Sequence, residues 1–191
     1  MSSDRNIDRF LDAARAVILS VGWRRATLTD VARQAGVSRM TVYRAFPDMQ
    51  SILAELMTRE WVAQVDAIVD ETGEGDAAEQ IARRFAAAVR ALRGNDLFRR
   101  ILDVDPEQLL PYLIDRRGRS QDALVGVLSA RITQGQAAGG VRAGDPVVLA
   151  RSLVLAAHGF ALSVHTMVDD AATRADLDEE LTVLVRRYLA P

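Results

Sequence analysis

Arg39, Met40, Tyr43 and Arg44 bring two guanidiniums, a thioether and a phenol into one short stretch of sequence. Arg39 and Tyr43 are four residues apart, as are Met40 and Arg44. On a helix both pairs therefore share a face, with Val42 and Phe46 left for the core. Guanidiniums donate to base edges and phosphates, Met40 can pack on a thymine methyl, and Arg44 can reach either a base or a phosphate. This is chemistry for recognising a polyanion. The chain holds no nucleophile–base pair, no phosphate-cradling glycine loop and no metal-ligand spacing. No catalytic residue, metal or cofactor is expected, and the chain is not read as an enzyme.

Such side chains need a short helix beyond a tight turn. Leu28, Val31, Ala32 and Ala35 recur at helical spacing, and Gly36 follows where a left-handed residue would end that helix. Ser38 can cap the next helix, Arg39 to Ala45, by accepting a backbone N–H two or three residues on. Two short helices joined by a glycine turn have the form of a helix-turn-helix reader of DNA. The plain alternative is a solvated face on a small helical domain. Thr29 can cap the first of these two helices and offer its hydroxyl or N–H to a phosphate. Arg24 and Arg25 serve either as phosphate contacts or as ordinary surface charge. Upstream, Ile7, Phe10, Leu11, Ala14, Val17, Ile18 and Val21 mark an earlier helix of about four turns, ended by Gly22.

A larger pattern runs through Val21-Gly22-Trp23, Thr27-Leu28-Thr29, Val31-Ala32, Ala35-Gly36-Val37-Ser38, Thr41-Val42-Tyr43, Phe46-Pro47 and Ile52-Leu53. In order and spacing it resembles the DNA-binding domain of TetR-type transcriptional regulators. The resemblance implies an all-α protein with an N-terminal helix-turn-helix domain and a C-terminal helical domain for ligand binding and dimerisation. It implies that Arg39 meets base edges, where a bidentate contact to guanine N7 and O6 contributes about 1–3 kcal/mol of discrimination. It also implies that Thr41 and Tyr43 donate hydroxyls to phosphates. The DNA-binding set is then Thr29, Ser38, Arg39, Met40, Thr41, Tyr43 and Arg44. Two positions depart from the family pattern. Met49 stands where a Lys usually meets a phosphate, and Ala45 where many relatives carry an aromatic residue or His.

Composition sets bounds. Hydrophobic residues make up 49% of the 191-residue chain, enough to exclude a disordered protein. There is no Cys, which excludes disulfides and Cys-based zinc sites. No apolar run reaches the roughly 20 residues that span a bilayer, and the first ten residues carry both signs of charge, unlike a signal peptide. A cytoplasmic protein without membrane contact is expected. Net charge is −2, but residues 1–62 hold nine Arg against seven acids and residues 63–191 fifteen against nineteen. The sign difference favours phosphate binding by the N-terminal part.

Further along, Pro47-Asp48 opens a long helix to about Asp70, with Ile52, Leu53, Leu56, Met57, Trp61 and Val65 on its apolar face. Thr72 to Asp76 reads as a break, and helices are expected at about 77–94, 96–103, 106–116, 119–138, 145–168 and 173–189. The expected organisation is a DNA-binding domain over 1–50 and a ligand-binding and dimerisation domain over 51–191. Candidate pocket residues are Trp61, Phe85, Val89, Phe98, Leu102, Tyr112, Leu113, Val125, Leu128 and Phe160, each of which serves equally as core. They suit a largely apolar small-molecule effector. His158 and His165, two helical turns apart, are too distant to share a metal directly. Small residues from Ala156 to Ser163 and the Leu177–Tyr188 stripe suit either an intramolecular core or the homodimer that the resemblance implies, which would read a palindromic operator. The expected activity is that of a ligand-released repressor. A ligand-independent DNA binder, or a C-terminal domain with a function of its own, are the alternatives.

Overall fold

The computed structural model describes the backbone of residues 2–69 and 75–191 and the side chains of residues 6–60 and 75–191. It is all-α, with no strand among the described residues. The elements are α1 (Ser2–Val21), α2 (Leu28–Ala35), α3 (Arg39–Ala45), α4 (Met49–Val69), α5 (Ala77–Gly94), α6 (Asp96–Val104), α7 (Arg119–Ala137), α8 (Pro146–Leu162) and α9 (Arg174–Leu189). The side chains of Trp61 and Val65 and most of the expected break at 72–76 lie outside what is described. No helix among those described is long and apolar enough to cross a membrane.

Two expectations need correction. Residues 106–116 do not form an α-helix: a 3-10 turn spans Pro106–Gln108 and a π-type turn Pro111–Asp115. Pro111 lacks an N–H, and its ring crowds the carbonyl four residues back. The ladder instead closes across five residues, Arg116 N–H to Pro111 O. The helix expected over 145–168 ends at Leu162, and a 3-10 turn, Val164–Met167, follows. Ala161 and Val164 are both buried. Their three-residue spacing fits either helix type, so periodicity ran through the change.

The chain divides into two compact units. The first joins residues 1–60 with 94–120, and the second joins 61–93 with 121–191. In the first, one apolar cluster unites Phe10, Leu11, Ala14 and Ile18 of α1, Leu28 and Val31 of α2, Val42 of α3, Ile52 and Leu56 of α4, and Leu97 and Ile101 of α6. Residues far apart in sequence thus share the core on which α2 and α3 sit.

A polar clasp completes this unit. Asp105, just past α6, is buried, and its Oδ2 accepts the Trp23 N–H at 2.7 Å and the Arg24 N–H at 3.3 Å. The Trp23 indole Nε1 donates to Gln108 Oε1 at 2.9 Å, and Arg24 pairs with Glu107. A buried carboxylate is tolerated because charged acceptors bond strongly to backbone N–H groups. Gly22 reaches the clasp with φ of 85°, and a Cβ there would stand 3.2 Å from Asp105 Oδ2. The loop between α1 and α2 is therefore held from both sides.

The second unit has its own fastenings. Arg93 of α5 pairs with Asp178 of α9, both largely buried. Arg142 donates from its backbone N to Leu189 O at 2.8 Å and from Nε to Tyr188 O at 2.6 Å, with its guanidinium over the Tyr188 ring. Gly135 permits a close approach, since a Cβ there would stand 2.5 Å from Val141 Cγ2.

Candidate nucleic-acid interface

The helix-turn-helix is fixed by local hydrogen bonds. Gly36 ends α2 in the left-handed region at φ 64°, and its N–H reaches back to Ala32 and Arg33 carbonyls. Ser38 begins α3 in extended conformation, and its Oγ accepts the Thr41 N–H at 3.3 Å. The Ser38 and Thr41 hydroxyls also lie 2.8 Å apart, so each orients the other. Val42 and Phe46 are buried and dock α3 on the core.

The opposite face is open. Arg39, Thr41, Tyr43 and Arg44 are exposed, and Met40 is 65% exposed. An apolar side chain of that size left in water costs free energy unless something covers it. Arg39 and Arg44 make no ion pair or hydrogen bond among the described residues.

Thr29 does not cap α2. It is the second residue of that helix, half-buried, while Thr27 stands before it in extended backbone and accepts the Asp30 N–H at 3.1 Å. The Thr27 hydroxyl donates to Asp30 Oδ2 at 2.5 Å, which holds the Asp30 carboxyl below its ordinary range, and Arg33 adds to the effect. The Thr-x-x-acid spacing is a capping-box signal that could have identified Thr27. Of the two arginines after α1, Arg24 is tied to Glu107 and faces Asp105 at 3.9 Å. Arg25 is exposed and makes no ion pair among the described residues.

At the start of α4, Asp48 Oδ1 accepts the Ser51 N–H at 2.7 Å, which lowers the carboxyl's pKa. Asp48 is therefore the helix cap. Met49 is half-buried and packs against the apolar cluster of the first unit.

Residues 10–56 match the family model for bacterial regulatory proteins of the tetR family. An HTH-type transcriptional regulator of Mycobacterium bovis is 36% identical over 192 residues, covering 99% of this chain and 98% of that protein. The chain belongs to the TetR family. Its backbone resembles that of the R. erythropolis transcriptional repressor QsdR with a TM-score of 0.72, at 18% identity over 97% of this chain and 95% of that one. It also resembles FadR of Bacillus subtilis, solved in complex with stearoyl-CoA, with a TM-score of 0.65 at 17% identity over 95% and 98% of the two chains. Both likenesses concern the fold. As a TetR-family protein the chain is a transcriptional regulator with a helix-turn-helix DNA-binding domain.

The residues expected to line a TetR-type effector pocket fall into different units. Phe85, Val89 and Leu128 are buried and Val125 and Phe160 half-buried in the second unit. Phe98, buried, belongs to the first, with Leu102, Tyr112 and Leu113. The Trp61 side chain lies outside the described residues. Sequence reasoning missed one polar pair: Gln121 Nε2 of α7 lies 2.9 Å from His158 Nε2 of α8. With the amide donating, the imidazole accepts at Nε2 and is neutral.

Burial lowers the His158 pKa from its ordinary 6.5. The unfolded chain therefore binds this proton at higher pH than the folded protein does. Stability from the neutral imidazole is complete above the unfolded value and falls as pH drops through it. The melting temperature should fall between about pH 7 and pH 5, and the His158→Gln variant should show a shallower fall. Parallel pH profiles for the two proteins would refute this.

Proposed function

We propose that this TetR-family regulator is a sequence-specific repressor that binds a palindromic operator as a homodimer and is released by a largely apolar small molecule. The observation that carries the reading is the open face of α3. Two exposed guanidiniums with no described partner, a phenol and an uncovered methionine stand on a helix whose other face is locked into a core. Arg39 reads a base edge and Met40 a thymine methyl. Thr29, Ser38, Thr41 and Tyr43 offer hydroxyls to phosphates, and Arg44 meets a base or a phosphate.

Dimerisation is supported by α8, where Val148 is 57% and Leu155 69% exposed, two turns apart on one face, with exposed Ala156 and Gly159 beside them. A second copy presenting the same stripe covers it by two-fold symmetry. The effector belongs with the apolar side chains of the second unit, Phe85, Val89, Val125, Leu128 and Phe160, with the Gln121–His158 pair as a hydrogen-bonding anchor. The acyl ligand in the FadR complex agrees with that class. Release follows if effector binding moves α4, which continues from the first unit into the second at residues 60 and 61. The effector must bind the DNA-incompetent state better by a few kcal/mol.

The test is selection of bound sequences from random duplex DNA by the full-length protein. Enrichment of an inverted repeat supports a dimeric reader. A folded protein that enriches no site at low salt removes the reading.

A further inference from the structure

Residues 6–60 contain eight arginines and six carboxylates, and ion pairing sorts them. Arg59 holds Asp8 at 3.6 Å and Asp12 at 2.8 Å. Arg15 pairs with Glu60, Arg33 with Asp30, and Arg119 with Glu55. Asp48 caps α4, and Arg24 is drawn to Glu107 and Asp105. Every carboxylate in this stretch is thus engaged. Arg9, Arg25, Arg39 and Arg44 remain, all exposed and all without an ion pair or hydrogen bond among the described residues.

Arg9 is the unexpected member. It lies on α1, yet its Nη2 would be 3.3 Å from a Cβ placed on Gly36. Gly36 ends α2, and Ser38, two residues later, caps α3, a span of at most about 7 Å. The guanidinium therefore stands at the turn that delivers the N-terminal end of the recognition helix, the end that approaches base edges in helix-turn-helix complexes. Asp8 and Asp12, its acidic neighbours on α1, are both occupied by Arg59. At the start of α4, meanwhile, Met49 carries no charge and packs on the core.

We infer that Arg9 is a phosphate contact of the DNA interface, supplying from α1 a positive charge that the start of α4 lacks. The inference rests on the DNA-binding reading above. A second role is open to the same cation, since a positive charge near the C-terminal end of α2 favours that helix dipole. The two roles differ in what they move. A phosphate contact releases counterions and sets a salt slope, whereas a dipole contact changes stability alone.

The experiment measures binding of full-length protein to a random-sequence B-form duplex across a salt series, for wild type, Arg9→Gln, Arg9→Lys and Arg24→Gln. Each phosphate contact contributes about 0.9 to the slope of log K against log salt. Arg9→Gln is expected to reduce the slope by about that amount for each protomer bound, while Arg9→Lys keeps the wild-type slope. Arg24→Gln should also keep it, because that charge is already paired. A wild-type slope in Arg9→Gln overturns the inference, whatever happens to its melting temperature. An equal loss from Arg24→Gln overturns it too, because the slope would then report net charge. Wild-type protein with no salt-dependent binding would remove the DNA-binding reading itself, and this inference with it. That failure is distinguishable from the other two.

Discussion

Leu97→Ala should lower the stability of the first unit by about 2–5 kcal/mol, the range for truncating a buried leucine. The effect is large because Leu97 is fully buried in one cluster with Ile18, Val31, Val42 and Ile52. Deleting it loses transfer free energy and leaves a void in the core that also carries the helix-turn-helix. Urea denaturation in a Trp61→Phe background, followed by Trp23 fluorescence and by helix content, measures the loss. Trp23 donates hydrogen bonds from its backbone N–H to Asp105 and from its indole to Gln108, so it should report this unit directly. A loss below about 1 kcal/mol, the ordinary size for a point mutation, would show that α6 rests against the core without belonging to it.

Arg39→Ala should act on recognition instead. Its side chain is exposed and α3 is held by Val42 and Phe46, so folding should be unchanged. On the proposed bidentate contact to guanine, its loss removes about 1–3 kcal/mol of discrimination, roughly 5- to 150-fold, at one base pair of each proposed half-site. Sequence selection with both proteins reads this as relaxed preference at a single symmetric pair of positions. A uniform loss across all sequences would reassign Arg39 to a phosphate, and an unchanged motif would remove it from the interface.

The helix-turn-helix was legible because its determinants are local. A glycine that ends α2, a serine that caps α3 and apolar residues at helical spacing all act within a few residues of where they stand. The cap of α2 was misplaced by two positions, since Thr27 and Thr29 both qualify by residue type. The choice between them rests on Asp30, whose carboxylate accepts from the Thr27 hydroxyl and whose N–H donates to it. The proline turns after α6 were blurred because Leu109 to Leu113 keep an apolar pattern through a break in the hydrogen-bond ladder. Least legible were the contacts over long separations. Nothing near Asp105 announces that it will bury itself against backbone N–H groups more than eighty residues earlier. The same holds for Arg9, whose neighbour Gly36 is twenty-seven positions away.

The shared core of residues 1–60 and 94–120 constrains which hybrids of this chain with a relative fold well. A single crossover near residue 60 gives a hybrid whose DNA reader comes from one parent and whose α6 comes from the other. The incoming segment must then fill the places of Leu97 and Ile101 and present an acceptor to the Trp23 N–H where Asp105 stands. Parents matched at those three positions keep these contacts in the hybrid. Parents that differ there yield hybrids with a loosened reader, so residues 94–120 are best exchanged together with residues 1–60.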